Sequence, residues 1–291
     1  MTETVAAHGA SAAPPALEWL EAGVLGLVQG VTEFLPISSS AHLRIVGALL
    51  PSAADPGAAF TAVTQIGTEA AVLLYFRRDI VRIARAWLLS LGGSRAEKDA
   101  DDARLGWLVI LGTLPIVVLG LAFKEAIETS LRNLYVTATM LVAFALVLGL
   151  ADRFGARTLA LRQMGWAQGL AFGFAQAMAL IPGVSRSGGT ISAGLAMGFT
   201  REAAARYSFL LAIPAVLASG FYQLYRHFGQ FGPIGPGPTL FATILAFFVG
   251  YAVIVGFLKL VSTRSYMPFV WYRLALGALL FVLIGTGALQ P

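Results

Sequence analysis

The sequence predicts an all-α polytopic membrane protein built as an inverted-topology repeat, with six transmembrane helices plus two re-entrant helical hairpins. Three observations predict it. Of 291 residues, 57% are apolar and only 12% are charged, about half the ~25% charged content of soluble domains, and mean hydropathy is +0.77. Six apolar runs approach the roughly 20 residues that a bilayer crossing needs, and two more apolar regions are interrupted by Pro, Ser and Gly. The basic residues, finally, gather on one side of the scheme that these runs define. A soluble enzyme, a nucleic-acid binder and a disordered chain are excluded at this point. The absence of cysteine removes disulfides, thiolate chemistry and Cys-metal sites. Three histidines in all, His8, His42 and His227, exclude a His-rich metal centre.

Each element follows in order. Residues 1–16 are Ala/Pro-rich and carry no Lys or Arg; they lack the basic flank of a signal peptide and are expected to be a short disordered leader. Region 17–50 is apolar but broken at Pro36, which predicts two half-length helices. Full spans are expected at about 58–76, 105–123 and 134–151. Region 165–199 is broken around Pro182 and predicts a second pair of half-helices, followed by spans at about 207–224, 240–258 and 271–289. The chain thus divides into halves, 17–151 and 165–289, within one membrane domain.

Orientation follows from the positive-inside rule. Segments 77–104, 152–163, 200–206 and 259–270 together hold 14 Lys and Arg, against three (Lys124, Arg132, Arg226) in 51–57, 123–133 and 225–239. The first group is expected in the cytoplasm and both termini outside. The pI of about 9.7 is then a topological bias and not a nucleic-acid footprint. The scheme requires region 17–50 to dip in from outside and region 165–199 from inside, which inverts the second half relative to the first. A short internal repeat supports this: Gly26-Leu-Val-Gln29 leads to Pro36-Ile-Ser-Ser-Ser40, and Gly173-Phe-Ala-Gln176 leads to Pro182-Gly-Val-Ser-Arg-Ser187. Inverted repeats place their site near the midplane, where broken helices meet and irregular backbone lines a protein cavity.

The two breaks carry the chemistry. In the first, Gln29 and Glu33 are four residues apart and share a helical face. Pro36 ends the half-helix, and Ser38, Ser39 and Ser40 stand at the start of the next, where hydroxyls and free N–H groups point outward. His42 lies three residues beyond Ser39, which predicts imidazole and hydroxyl on one face. The second break, Pro182-Gly183-Val184-Ser185-Arg186-Ser187-Gly188-Gly189-Thr190, joins small residues and a helix start into an anion seat, and Arg186 adds a planar fork suited to phosphate oxygens. A charge at helix-centre depth costs on the order of 2.5–3.5 kcal/mol, so Glu33 and Arg186 read as an anion site in preference to a structural ion pair. Glu69, alone in an apolar span, reads as a structural partner for an Arg or a hydroxyl. Arg44 is either structural or within reach of a headgroup. Small-xxx-small spacings such as Gly26/Gly30 read as close helix packing.

Together the two motifs resemble the undecaprenyl-diphosphate phosphatase, or bacitracin-resistance, family, with its Glu/Gln-xxx-Glu motif running into Pro-x-Ser-Ser…His and its Pro-Gly-x-Ser-Arg-Ser-Gly motif. Here these are Gln29-xxx-Glu33, Pro36 to His42 and Pro182 to Gly188, and the span pattern fits from residue 17 onward. The resemblance implies hydrolysis of undecaprenyl diphosphate to the monophosphate and inorganic phosphate, recycling a cell-wall lipid carrier and conferring bacitracin resistance. By that resemblance Ser39 attacks the terminal phosphorus with His42 and Glu33 assisting; His42 or an activated water are the alternative nucleophiles. Arg186 holds the phosphates with Ser38, Ser40, Gly183, Ser185, Ser187, Gly188 and Thr190, and Gln29 supports. A divalent cation, Ca2+ or Mg2+, would take oxygen ligands from Glu33 and Gln29. Expected partners are the polyprenyl diphosphate, membrane lipids and at most a second copy in a homodimer. The expected location is the bacterial plasma membrane, with the site open to the outer face, where the loops are Pro/Gly-rich and nearly uncharged. The rival class is a transporter or flippase of a lipid phosphate or small anion, since inverted repeats also serve transport. The Lys…Arg-Pro, Ser-Gly-His and Arg…His-xxx-Asp set of other lipid phosphatases is missing.

Overall fold

The computed structural model describes residues 15–52, 56–92, 99–226 and 234–290. The expected leader, residues 1–16, lies outside them except for its last two residues. The regular structure of the described residues is helical, apart from one isolated bridge between Leu159 and Phe199. Two helices come first, α1 (Pro15–Thr32) with 18 residues, longer than the half-length helix expected there, and α2 (Ser39–Leu49) with 11. They are followed by α3 (Gly57–Tyr75), α4 (Arg77–Leu91), α5 (Ala100–Ala122), the one-turn α6 (Lys124–Glu128) and α7 (Leu134–Phe154). A second pair, α8 (Trp166–Ala177) and α9 (Arg186–Ala196), both short, precedes α10 (Arg201–Arg226), α11 (Pro236–Val261) and α12 (Met267–Gly285).

Five of these helices, α5, α7, α10, α11 and α12, are long and apolar enough to cross a bilayer, and α3 with α4 makes a sixth if that bent pair counts as one span. Large apolar side chains such as Leu114, Val118, Leu121, Leu146, Leu150, Phe248 and Val282 stand exposed on their outer faces. A water-facing surface would not tolerate so extensive an apolar skin. The protein is a polytopic membrane protein.

One expectation needs correction. Segment 77–104, read as a loop, contains the whole of α4, which bends 77° away from α3. Its basic residues Arg78, Arg82 and Arg85 alternate with Ile80, Ile83 and Trp87 at helical spacing, an amphipathic pattern suited to a helix lying along an interface. Trp87 packs edge-on to Trp107 at 5.6 Å. Arg82 reaches both Asp79 and Asp102, and Arg206 reaches Asp79. Exposed pairs of this kind contribute about 0–1 kcal/mol each; the packing of Ile83 and Trp87 matters more.

The helices pair in a reciprocal pattern. Helix α1 lies on α11, and the 12-residue α8 lies on α5; α3 lies against α10, and α7 against α12. Gly26 on α1 abuts the backbone of Ala242, and Gly173 on α8 abuts the backbone of Gly112, so a methyl group at either glycine would collide with main chain. Close backbone approach through small residues is how helices associate where lipid supplies no hydrophobic drive. The largest buried cluster, including Phe34, Phe172, Phe199, Tyr207, Phe209 and Phe257, packs around the two breaks and fixes where they meet.

Candidate active site

Both breaks are set by backbone chemistry. After Thr32, the chain turns through Pro36 and restarts as α2 with Ser38 at a left-handed φ of 74°; after the 3-10 turn at 178–180 it restarts as α9 with Ser185 at φ 70°. Left-handed non-glycine residues are uncommon and strained. Each of these follows its glutamine, Gln29 or Gln176, at the same sequence distance. Gly183 adopts φ 95° with its Cα against the Thr137 carbonyl, so only glycine fits there.

Arg273 ties the breaks together. It is fully buried on α12 and donates to the carbonyls of Pro36 in the first break, Gly183 and Val184 in the second, and Met140 and Leu141 on α7, at 2.8–3.2 Å. Broken helices leave carbonyls unpaired, and lipid offers them no partner. A guanidinium, with five donors and no acceptor, satisfies them from a single side chain. An arginine inside the apolar run 271–289 was the sequence signal for this role, and composition alone hid its partners. Replacing Arg273 by Met is expected to orphan several carbonyls at about 1–3 kcal/mol each. The thermal midpoint in detergent should fall by at least about 6–12 °C, with Lys restoring only part; an unchanged midpoint would show that the clamp is not needed.

Glu33 is the hub of the site. Its Oε2 accepts from Ser39 Oγ at 2.6 Å and from Gln29 Nε2 at 2.8 Å, with Gln65 Nε2 at 3.5 Å, and its Oε1 pairs with Arg186 Nη2 at 2.7 Å. The hydroxyl and carboxylate of one break thus meet the guanidinium of the other. Arg186 Nη1 has no partner among the described residues. The group faces a cavity of about 320 Å3, lined by Glu33, Ser38, Ser39, Ser40, Ser185 and Arg186 at one end. Among the described residues its ionisable lining is Glu33, Arg44, Arg132 and Arg186.

The sequence profile described as bacitracin resistance protein BacA matches residues 22–279. The chain belongs to this family. Among its relatives, undecaprenyl-diphosphatase 2 of Agrobacterium fabrum is 68% identical, covering 94% of this chain and 98% of the relative. Undecaprenyl-diphosphatase of Paenarthrobacter aurescens is 63% identical over 94% of this chain and the whole of the relative. The enzyme of the same name from Micrococcus luteus is 59% identical over 94% and 100%.

Within this BacA family member, several expected site residues lie elsewhere than their spacing suggested. His42 does not face Ser39: its Nδ1 is 2.7 Å from the Ser38 carbonyl oxygen and its Nε2 2.6 Å from the Tyr272 hydroxyl. The three-residue spacing placed both near one helical face, but the left-handed turn at Ser38 draws the imidazole back to the break. Neither ring nitrogen contacts the Ser39 hydroxyl. Gly183, Ser187, Gly188 and Thr190 do not line the cavity. Ser187 donates to the Leu35 carbonyl, Gly188 N–H to the Ser185 hydroxyl, and Thr190 to the Arg186 carbonyl. These groups build the second break, and of the second anion motif Pro182, Ser185 and Arg186 reach the cavity. Ser38 and Ser40 line it, 3.3 Å apart. Ser38 makes no side-chain cap, so the start of α2, unlike that of α9, keeps its N–H groups clear of a capping hydroxyl.

Two residues of α3 complete the picture. Gln65, missed in the sequence because an amide in an apolar span carries no charge signal, reaches Glu33. Glu69, one turn further along the same face, is 1% exposed, and its Oε1 has no partner among the described residues. It pairs with neither an arginine nor a hydroxyl, contrary to its structural reading.

The fit of a divalent cation can be judged from the donors. Both Glu33 oxygens are committed, one of them to a guanidinium. The free oxygen beside them is Gln29 Oε1, and no cluster of three His, Cys, Asp or Glu occurs among the described residues. A hard cation takes six or more oxygens. The residues present do not form such a site, and Gln29 acts instead as a donor to Glu33, which a carboxylate at that position would not do.

Proposed function

We propose that the chain hydrolyses undecaprenyl diphosphate to undecaprenyl phosphate and inorganic phosphate, the substrate being the one in its relatives' names. The observation that carries this is the Ser39–Glu33–Arg186 constellation on the wall of the cavity. Ser39 Oγ attacks the terminal phosphorus while its proton passes to Glu33 Oε2. The bond from that phosphorus to the bridging oxygen breaks, and undecaprenyl phosphate leaves. Water then cleaves the phosphoserine and releases inorganic phosphate. Arg186, paired with Glu33 on the cavity wall, holds a phosphate oxygen, in keeping with phosphoryl transfer as positioning and charge neutralisation. Every group comes from one chain, so the chemistry requires no homodimer. Detergent-solubilised protein, with no compartments to transport between, should release phosphate from a polyprenyl diphosphate. Binding without release would favour a transporter or flippase.

The reading extends to topology. The six spans are α3, α5, α7, α10, α11 and α12, and the pairs α1–α2 and α8–α9 are re-entrant hairpins of inverted halves, 17–151 and 165–289. The reciprocal packing of Gly26 and Gly173 and the matched left-handed serines support it. The cavity lining includes Pro56, Ile127, Arg132 and Gln223, which belong to or adjoin the sparsely charged segments, so the site opens to the outer face of the bacterial plasma membrane. A cysteine introduced in 225–239 should react with an impermeant thiol reagent on intact cells. Labelling only after lysis would overturn the scheme.

A further inference from the structure

The bent helix α4 carries a surface that the catalytic steps leave unused. At 3.6 residues per turn its side chains fall into three strips. Ile83 and Ala86 are buried against the protein, with Trp87 packed on Trp107 beside them. Val81, Leu88 and Leu91 form a second strip with Ala84, and these three are each more than half exposed. Arg78, Arg82 and Arg85 form the third strip, alongside the second, and all three are exposed. Among the described residues, a groove of about 630 Å3 runs along this basic strip, and its lining includes Arg77, Arg78, Val81, Arg82, Arg85 and Asp99.

Charge and polarity together specify the occupant. Arg82 is engaged with Asp79 and Asp102, and Arg77 Nη1 donates to the Leu74 carbonyl. Neither Arg78 nor Arg85 has a hydrogen-bond or ion-pair partner among the described residues. An exposed apolar strip is better covered by acyl chains than by water, and arginines beside it suit the oxygens of a phosphate. One molecule offers both: an anionic phospholipid, whose headgroup lies at the depth of an interfacial helix. We propose that α4 is a binding site for anionic phospholipid, with Arg78 and Arg85 holding the headgroup phosphate in the groove and Val81, Leu88 and Leu91 lying against the acyl chains. The groove shares no lining residue with the Ser39–Glu33–Arg186 cavity. The site therefore rests neither on the diphosphatase reading nor on which leaflet α4 touches.

The test is native mass spectrometry of the detergent-solubilised full chain, titrated with phosphatidylglycerol or with zwitterionic phosphatidylcholine. It compares wild type, Arg78→Gln, Arg85→Gln and the double variant Arg78→Lys with Arg85→Lys. Wild type should hold phosphatidylglycerol at least about fivefold more tightly than phosphatidylcholine. Each basic residue near a membrane surface strengthens binding about fivefold, so each glutamine variant should weaken phosphatidylglycerol by that factor and leave phosphatidylcholine unchanged. The lysine variant keeps the charge and should keep most of the preference, which separates loss of charge from loss of fold. Inorganic phosphate in about tenfold excess should not displace the lipid, because it offers nothing to the apolar strip. Equal affinity for the two lipids, or unchanged phosphatidylglycerol binding in both glutamine variants, would overturn the site, as would loss of the preference in the lysine variant. Displacement by inorganic phosphate would make the groove a seat for a free anion and overturn the lipid assignment.

Discussion

Replacing Ser39 by alanine is expected to lower kcat by about three orders of magnitude or more, with KM little changed. The serine hydroxyl already donates to Glu33 at 2.6 Å, so the variant removes the attacking atom and leaves the anion seat intact. Glu33→Gln should be as damaging, because the amide cannot take the proton and also releases Arg186 from its ion pair. Residues that act as a unit are not additive, so the double variant should be no worse than the more damaging single one. Phosphate release by purified variants reads all three. Substantial turnover by Ser39→Ala would transfer the attack to water.

Arg186→Lys should lower kcat/KM by about 10²-fold while the protein still inserts and folds. The guanidinium uses one nitrogen on Glu33, and a second has no partner among the described residues. An ammonium is a point charge and cannot serve a carboxylate and a phosphate in a fixed fork. The comparison should be made with the thermal midpoint alongside activity, since Glu33 and Arg186 also join the two halves. Near-normal kcat/KM in the lysine variant would remove Arg186 from the phosphate site.

Much of this site was legible in the sequence, for identifiable reasons. Glu33 and Arg186 announced themselves because charge is costly in an apolar chain. The breaks announced themselves because Pro36 and Pro182 interrupt hydropathy. The pairing of Glu33 with Arg186, 153 residues apart, is the juxtaposition that the internal repeat implied. What could not be read was side-chain direction. The spacing of Ser39 and His42 assumes regular helix through Ser38, and the left-handed residue there sends the imidazole toward Tyr272 instead. The glycines and hydroxyls from Gly183 to Thr190 have the composition of an anion loop, yet most of their donors close the break itself. Arg273 sat inside a predicted span where only its carbonyl partners, spread over α7 and both breaks, give it meaning. Helix α4 was missed because the positive-inside rule counts its arginines in the same way whether they stand on a loop or on an amphipathic helix.

In the proposed reaction phosphate passes through Ser39. Rapid quench of the purified protein with a terminally labelled polyprenyl diphosphate, followed by peptide mapping, tests it most directly. An acid-stable, alkali-labile phosphate is expected on Ser39, absent from Ser39→Ala. Phosphate trapped on His42, in acid-labile form, or phosphate released with no protein-bound label at any quench time, would contradict it.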